Sequence, residues 1–395
     1  MVQTNGSILA LNMGTSSFKF KLFDALTKKM QCSGMAKFSG GKFLSWSVKD
    51  FAGETIDHWV LNQQDREGVV AEFIKWLKFH ELEFPLVGIG HRVTQGGPIH
   101  FKPTLITEEL LSDLQKYSYL APNHLPEEIE LINEFDAAFV GVKQVACFDT
   151  YFHQDMPPNA RYYPLDEKYK ELGLIRYGFH GLSYEFIMEK LIEQILHPAR
   201  EKIIIAHLDI EASMVAVKKG ISIDTTMILS PAGGLVMSTS SGDLDPGVIL
   251  ALMKVYGFDL SQLDELLSKS DVMLPIREIG DVQELLAQEK SNPKTKEALN
   301  LFCYQAKKAI GALAAAMGGL DTLVFTGSIG SYSSEIRARI CQDLNFLGII
   351  LDQKVNSDHA EIISAEKSWV TVCVFESDEE QIIAQHTHNL LNLGI

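Results

Sequence analysis

Apolar and polar residues follow a clear order over the first 25 positions of the chain. Residues 8–11 form an unbroken apolar run, and residues 18–22 alternate apolar and polar side chains with the period of a strand. The polar stretch between them, residues 12–17, contains one glycine and three hydroxyl side chains. This pattern predicts a strand, a tight loop and a second strand.

A second segment, about half a chain later, repeats the same pattern. Residues 203–206 are apolar, residues 207–213 form a polar loop, and residues 214–217 are again apolar before a Lys219-Gly220 turn and another strand through Ile223. Two such units are expected of a duplicated nucleotide-binding fold, in which each loop holds phosphates. Unrelated hairpins produce the same pattern, so the repeat alone leaves both interpretations open.

The rest of the chain alternates predicted helices with predicted strands. Residues 69–79 place apolar side chains at i, i+3, i+4 and i+7, which is typical of an amphipathic helix, and residues 86–93 follow as a strand. An alanine-rich helical run over residues 296–317 ends at Gly318-Gly319 and leads into an apolar strand at residues 323–325. Helices that alternate with strands in this way indicate an α/β protein.

The length of 395 residues favours two domains, because single cores stop growing at about 250–300 residues. We place a domain boundary just after Asp149, where a predicted strand ends and a turn-rich stretch, residues 153–158, follows. We therefore predict a first domain over residues 1–150, which a C-terminal helix, residues 381–395, completes. Residues 151–380 are predicted to form the second domain.

Composition and charge narrow the function classes. The formal net charge of −16 repels phosphate backbones and anionic lipids, so we expect neither nucleic acid nor a membrane as a partner. No apolar run approaches the roughly 20 residues of a membrane span, and the N-terminus lacks a basic segment before its short apolar run. Five scattered cysteines without a C-x-x-C spacing are typical of reduced thiols, so we expect a cytoplasmic protein.

The loop over residues 12–17 and the following Lys19 carry several hydrogen-bond donors on a glycine-containing turn, which suits phosphate oxygens. A turn rich in serine and threonine is, on its own, more often only a turn. Four further segments change this interpretation: GHRVTQGG at 90–97, FDTYFHQDMP at 148–157, RYGFHGLS at 176–183 and SGDLDPG at 241–247. In this order and spacing, the five segments resemble the acetate kinase family, which writes them close to NxGSSSxKF, GHRxVHGG, FDTAFHxTMP, RYGFHGTS and SGDIDP.

The resemblance implies a fold and an activity. The fold is α/β, a two-lobed actin-like ATPase (ribonuclease H-like) fold with duplicated mixed-sheet domains around a central cleft. The activity is reversible transfer of the γ-phosphoryl group of ATP to the carboxylate of acetate or another short carboxylic acid, by a homodimer that uses Mg²⁺ and ATP/ADP. Because a carboxylate is already ionised at pH 7, this chemistry needs control of charge rather than a general base.

The resemblance also assigns roles to residues of this sequence. As catalytic residues, Arg92 binds the substrate carboxylate or the transferring phosphoryl group, Asp149 orients Arg92 or the metal shell, and His180 donates to the transferring group. Three further sets are Arg92, Thr94, Asn123, Phe179 and Pro231 for the acid; Thr15, Ser16, Ser17, Lys19, His207, Gly327 and Gly330 for the nucleotide; and Asn12 and Glu379 for Mg²⁺. Outside such motifs, an arginine after a strand is usually a surface ion pair, and a lone buried histidine is usually a core residue.

The sequence departs from the family where phosphate would be bound. Ser240 stands where the family has an arginine, and residues 209–211 read Asp-Ile-Glu where the family has Gly-Asn-Gly. Either a metal bridges the two new carboxylates to the nucleotide, or they point away, or ATP binds weakly. The family's adenosine loop GGIGEN reads GSIGSY at 327–332. Thr94 and Asn123 replace apolar residues of the acyl pocket, which suits a more polar acid than acetate.

Three functional hypotheses remain open. The first is an active acyl-phosphate kinase, supported by the retained site residues. The second is a catalytically impaired paralogue with a binding or regulatory role, supported by Ser240 and residues 209–211. The third is a kinase of a hydroxyl substrate with Asp149 as the base, for which the sequence offers no sugar-binding motif.

Overall fold

The chain divides into two compact units, each with a mixed β-sheet. Unit 1 comprises Met1–Tyr151 and Asp378–Ile395, and unit 2 comprises Phe152–Ser377. The computed structural model describes residues 6–14, 17–39, 42–194, 201–237, 240–268 and 282–393.

Unit 1 is built on one sheet. Its strands are β1 Ser7–Met13, β2 Ser17–Asp24, β3 Met30–Ser39, β4 Lys42–Asp50, β5 Thr55–Gln64, β6 Leu86–Val93, β7 Thr104–Leu105 and β8 Gln144–Phe148. They lie in the order β5-β4-β3-β2-β1-β6-β8-β7. Strand β1 pairs antiparallel with β2 and parallel with β6, and β6 pairs parallel with β8.

Unit 2 contains a smaller sheet with the same arrangement. Its strands are β9 Lys202–Leu208, β10 Ala212–Lys218, β11 Ile221–Thr225, β12 Thr322–Thr326 and β13 Thr371–Val374, in the order β11-β10-β9-β12-β13. In both sheets the first strand of an antiparallel meander pairs with a parallel strand, and a second parallel strand follows; the meander has five strands in unit 1 and three in unit 2. The two predicted strand-loop-strand segments are β1–β2 and β9–β10, so the predicted duplication of mixed-sheet domains is confirmed.

Helices and loops make up the rest of the described chain. In chain order the helices are α1 Arg66–Phe79, α2 Glu108–Lys116, α3 Leu125–Ala138, α4 Pro158–Arg161, α5 Glu167–Glu171, α6 Gly181–Gln194, α7 Pro246–Lys254, α8 Leu260–Ser268, α9 Val282–Gln288, α10 Pro293–Met317, α11 Gly327–Tyr332, α12 Ser334–Cys341, α13 Gln353–Ser357 and α14 Glu379–Leu391. Within the described ranges, none of these helices has both the length and the apolar character that a membrane crossing requires.

Local capping sets where two of the predicted helices begin. Helix α1 begins at Arg66 rather than at residue 69, because Asp65 accepts a hydrogen bond from the backbone N–H of Gly68 at 3.0 Å. Helix α10 begins after Asn292, whose side chain caps its first turn, and ends at Gly318, which has a left-handed φ of 74°. The predicted strand over residues 86–93 coincides with β6.

Helix α14 packs on the sheet of unit 1, against β1, β6 and β8. Two glycines of β6 allow this close approach. A Cβ atom at Gly88 would lie 2.5 Å from Leu391, and one at Gly90 would lie 2.2 Å from Thr387. The start of α14 lies beside β1 and β2, where Asn12 donates to Glu379 and Glu380, and Lys21 donates to Asp378.

Candidate functional site

Arg92 and Asp149 lie at the carboxyl ends of two neighbouring parallel strands of unit 1. Arg92 precedes the last residue of β6, and Asp149 directly follows β8. The guanidinium Nη2 and Nε donate to Asp149 Oδ2 at 2.6 and 3.1 Å, and Nη1 donates to the carbonyl of Met13 at 3.2 Å. Both charged side chains are buried. These bonds leave part of the planar guanidinium fork for an anion.

Electrostatics keep the charge on Arg92. Burial disfavours the charged guanidinium, but the carboxylates of Asp149, Glu379 and Glu128 outweigh burial and raise the pKa of Arg92. Burial also raises the pKa of Asp149 to about 6, although Arg92 opposes that rise. Asp149 Oδ1 is buried and has no hydrogen-bond partner among the described residues. An unpartnered carboxylate oxygen of this kind suits a cation.

Asn12, near the end of β1, binds two acidic residues at the start of α14. Its Nδ2 donates to Glu379 Oε2 at 2.7 Å and to Glu380 Oε1 at 2.8 Å. Because both amide hydrogens are used, Asn12 Oδ1 is turned away from these carboxylates. Burial raises the pKa of Glu380, and the positive charges of Lys19 and Lys21 oppose that rise.

These oxygen atoms fit a hard cation. No group of three or more histidine, cysteine, aspartate or glutamate side chains that could hold a metal ion exists in the described residues. Asn12 Oδ1, Asp149 Oδ1 and the carboxylate of Glu379 are hard oxygen donors, the type that Mg²⁺ takes besides water and phosphate oxygens.

The first predicted phosphate loop is described only in part. Thr15 and Ser16 lie outside the described residues. Ser17 is half-buried at the start of β2, and its carbonyl accepts from the N–H of Gly14 at 2.9 Å. Lys19 is exposed and stands opposite Asn12 in the β1–β2 pairing, which places its positive charge beside the acidic start of α14.

Thr94 and Asn123, predicted to line the acid pocket, have different environments in unit 1. Thr94 is buried, its hydroxyl donates to Glu128 Oε1 at 2.6 Å, and its N–H donates to Glu128 Oε2 at 3.0 Å. The hydroxyl hydrogen of Thr94 is therefore already committed to Glu128. Asn123 is exposed in the turn before α3.

In unit 2, the two predicted histidines lie side by side. The rings of His180 and His207 stack with centroids 4.4 Å apart at 20°. His180 Nδ1 is bound to the hydroxyl of Ser213 at 2.7 Å, and Ser213 is also bound to the hydroxyl of Tyr184. His207 Nδ1 lies 2.8 Å from the hydroxyl of Ser183. Residues 27 positions apart in sequence thus form one buried polar group.

The backbone of His180 is unusual. Its φ is 57°, a left-handed value that residues with a side chain seldom adopt. It directly precedes α6, and Tyr184 N–H donates to its carbonyl at 3.1 Å. Strained backbone of this kind is found at functional sites, where the surrounding structure holds it in place.

The second predicted phosphate loop contains a carboxylate that is already bound. Asp209 follows β9, and its Oδ1 accepts from the hydroxyl of Ser328 at 2.7 Å and from the N–H of Ile210 at 2.7 Å. Its Oδ2 accepts from the N–H of Ser328 at 3.1 Å. Both the backbone N–H and the hydroxyl of Ser328 are therefore donated to Asp209.

The segment after β12 is held tightly in place. Gly327 has φ 78°, and a Cβ atom there would lie 2.5 Å from the carbonyl oxygen of Leu208. Gly330 is buried within α11, and its carbonyl accepts from Arg337 Nη1 at 2.8 Å. Arg337 is fully buried, its Nη1 also donates to the carbonyl of Ser331, and burial lowers its pKa to about 10.

Three other predicted or divergent positions also lie in unit 2. The side chain of Phe179 is buried in the core. Pro231 is half-buried in a turn. Ser240, the residue in place of the family arginine, is buried, and its hydroxyl has no hydrogen-bond partner among the described residues.

Four residues of these groups escaped the sequence reasoning. The sequence could have indicated Ser213, because it matches the serine that ends the family's second phosphate loop. Glu128, Glu380 and Arg337 look like ordinary helix residues in sequence. The roles of Glu128 and Glu380 depend on contacts between distant parts of the chain, whereas Arg337 binds the carbonyls of the preceding short helix.

Comparison with known proteins identifies the family. The model of the acetokinase family matches residues 7–385. This chain belongs to the acetokinase family. Acetokinase relatives include the acetate kinase of Rhodopseudomonas palustris (strain TIE-1), 35% identical over 395 residues, which cover 98% of this chain and 99% of that protein. The acetate kinase of Nitrobacter hamburgensis is 37% identical over 398 residues, which cover 98% of this chain and 96% of that protein.

Solved structures of the acetokinase family share the fold. The propionate kinase from Francisella tularensis superimposes with a TM-score of 0.87 and 32% identity, over 97% of this chain and 99% of that chain. The acetate kinase from Porphyromonas gingivalis gives 0.82 and 31%, over 98% of this chain and 100% of that chain. The predicted α/β, actin-like fold class is therefore confirmed.

Proposed function

We propose that this acetokinase-family protein is a kinase that transfers the γ-phosphoryl group of ATP, reversibly, to the carboxylate of acetate or another short carboxylic acid. The observation that carries the proposal is the buried Arg92–Asp149 pair beside the oxygen atoms of Asn12 and Glu379. Such a group gathers the positive charge and hard oxygen ligands that two reacting anions require.

Arg92 is proposed to bind the acid carboxylate and then the transferring phosphoryl oxygens. The acceptor carboxylate is ionised at neutral pH, so no residue has to remove a proton from it. Asp149 fixes the orientation of the guanidinium through two hydrogen bonds to one oxygen. A fixed donor group needs little reorganisation as charge moves during transfer.

His180 is proposed to donate a hydrogen bond to the transferring group. If Tyr184 donates to Ser213 and Ser213 donates to His180 Nδ1, the imidazole carries its proton on Nε2. That tautomer directs a hydrogen-bond donor away from Ser213. The family resemblance supports nucleotide contacts for Thr15, Ser16, Ser17, Lys19, His207, Gly327 and Gly330, of which Thr15 and Ser16 lie outside the described residues.

Mg²⁺ is proposed as the cofactor, held by Asn12 Oδ1 and Glu379 with Asp149 Oδ1 nearby. When bound, the ion would neutralise charge on the phosphate oxygens. The protein contributes the orientation of its ligands: Glu380 and Glu379 hold the Asn12 amide with its oxygen outward.

We also propose a homodimer, with a second copy packed on α7. This helix has no buried residue, and Val248, Leu250 and Met253 are 42–50% exposed on it. Val255 and Tyr256, directly after it, are 74% and 72% exposed. Contiguous exposed apolar side chains of this kind mark protein contacts. All five cysteines are buried, and together with their scattered positions this supports the cytoplasm as the proposed location.

The experiment is a coupled assay with Mg-ATP and a panel of short acids that includes acetate, propionate and more polar hydroxy acids. Acyl phosphate is trapped with hydroxylamine, and an Arg92→Ala variant gives the background. Turnover above that background with at least one acid is expected. Turnover with none of them would contradict the proposal.

An impaired, ligand-binding paralogue is the second candidate, favoured by the unpartnered hydroxyl of Ser240 and by the carboxylate of Asp209 on Ser328. Calorimetry separates the two candidates. Micromolar Mg-ATP binding without turnover would support the paralogue, and binding with turnover would exclude it.

A further inference from the structure

In unit 2, the carboxylate of Asp209 accepts hydrogen bonds from Ser328 at the edge of the sheet. Strands β9 and β12 are parallel neighbours, with Thr326 paired to His207, so their carboxyl ends lie at one edge. Asp209 follows the first of these strands, and Ser328 is the second residue after the other. Ligands of α/β proteins commonly bind at this edge, outside the carboxyl ends of parallel strands.

The two hydrogen-bond donors of Ser328 would also suit a phosphate oxygen. Ser328 is exposed and offers a backbone N–H and a hydroxyl from one residue. Both are donated to the carboxylate of Asp209, at 3.1 and 2.7 Å. Backbone N–H and hydroxyl groups are also the usual donors to phosphate. Asp209 therefore has the same charge sign and the same hydrogen-bond demand as a phosphate group.

This inference rests on the proposed function. We propose that Asp209 is a specificity-determining residue of the nucleotide site, whose carboxylate takes the place of a phosphate oxygen on Ser328. It disfavours nucleotides in proportion to the negative charge of their phosphates and leaves the binding of the nucleoside unaffected. Repulsion between like charges a few ångström apart lowers affinity on the order of tenfold near a protein surface.

The surrounding structure holds Ser328 in place without Asp209. Gly327 lies against the carbonyl of Leu208, where a Cβ atom would come within 2.5 Å. On the other side, Arg337 donates to the carbonyls of Gly330 and Ser331 at 2.8 Å each. Removal of the Asp209 charge should therefore change binding and not the position of the loop.

The test is isothermal titration calorimetry of the full chain with adenosine and with ADP, in the presence of Mg²⁺. Asp209→Asn keeps an acceptor for Ser328 and removes the charge. The expected result is ADP binding about tenfold tighter than in the wild type, with adenosine binding unchanged within about twofold.

The matched control is Asp321→Asn. Asp321 accepts from the N–H groups of Glu201 and Lys202 at 3.0 and 2.9 Å, so the contact is of the same kind. It directly precedes β12, at the end of that strand opposite Ser328. This variant removes the same net charge and should leave both affinities unchanged.

Several outcomes would overturn the inference. ADP binding that is unchanged or weaker in Asp209→Asn would do so, as would an equal gain for adenosine and ADP, or the same gain in Asp321→Asn. Absence of nucleotide binding by both the wild type and Asp209→Asn would overturn the proposed function as well. If circular dichroism shows that Asp209→Asn is unfolded, Asp209→Gly, the family residue at this place, carries the same test.

Discussion

The β1–β2 hairpin of unit 1 and the β9–β10 hairpin of unit 2 have the same pairing and the same place in their sheets, yet they carry opposite chemistry. Asn12 at the end of the first hairpin's leading strand holds two carboxylates and keeps its oxygen for a ligand. Asp209, directly after β9, places a carboxylate on donors that a phosphate would use. The buried apolar residues of the strands determine the topology that the two hairpins share. The residues of the loops can differ in charge without a change in that topology.

The largest expected effect comes from breaking the unit 1 site at Arg92. Arg92→Ala should lower kcat/KM for the acid by about 10³-fold, because it removes the fixed cation that meets both anions. Arg92→Lys should recover only part of this loss, since lysine cannot form the planar double contact with Asp149. Steady-state kinetics provide the measurement.

Arg66→Lys is the matched control for charge and stem length. Arg66 forms an ion pair with the half-exposed Glu130, so kcat/KM should stay within about twofold. A loss of similar size in both lysine variants would contradict the assigned role of Arg92.

The corresponding break in unit 2 is at His180. His180→Ala should lower kcat about 10²-fold, because the hydrogen bond to the transferring group is lost. Ser213→Ala removes only the group that orients the ring, so a loss of about tenfold is expected, with little change in KM for the nucleotide. A loss confined to KM in both variants would show that these residues bind and do not take part in transfer.

Gly14 of unit 1 and Gly327 of unit 2 should differ in the cost of replacing glycine by alanine. Gly327→Ala should destabilise the protein by about 2–3 kcal/mol, because φ is 78° and the new Cβ atom would lie 2.5 Å from Leu208 O. At Gly14, the nearest described atom to a new Cβ is Ser17 O at 3.7 Å, so Gly14→Ala should cost less than about 0.5 kcal/mol. Urea unfolding measures both, and equal costs would contradict the packing difference.

The last comparison concerns acid, and here the two units should behave alike. Burial lowers the pKa of His91 in unit 1 and of His153 in unit 2 to about 4, from 6.5. The unfolded chain then binds more protons, so stability is full above pH 6.5 and is lost as the pH falls towards 4. Each histidine contributes about 1–3 kcal/mol to this loss.

Urea unfolding at pH 7 and pH 5 tests this expectation. His91→Gln and His153→Gln should each reduce the difference in the free energy of unfolding between the two pH values. An unchanged difference in the double variant would show that other groups cause the acid sensitivity.

Periodicity was sufficient to predict the elements that carry the site. The apolar run at residues 86–93 is β6, and the two strand-loop-strand patterns are the two hairpins. Helix starts were less accurate, because caps such as Asp65 act through one side chain and do not alter the apolar period. Arg92 lies beside Asp149 because β6 and β8 are parallel neighbours whose carboxyl ends meet at one edge of the sheet. The family motifs identify both residues in the sequence.

Contacts between distant segments could not be predicted in this way. From the sequence, the hydroxyl of Thr94 is expected to line a polar acid pocket. In the structure it donates a hydrogen bond to Glu128 of α3. Asp209 meets Ser328 across 119 positions only because β9 and β12 pair in parallel. The sequence of a loop does not indicate which donor will form a hydrogen bond with a carboxylate in that loop.

The position of α14 has a consequence for synthesis on the ribosome. Residues 152–377 are contiguous, so all of unit 2 has been translated before Glu379 and Glu380 emerge. Until then β6 lacks the helix that covers Gly88 and Gly90, and Asn12 lacks both of its carboxylate partners. The nascent first unit must wait for more than 200 further residues, so one face of its sheet stays uncovered during that interval.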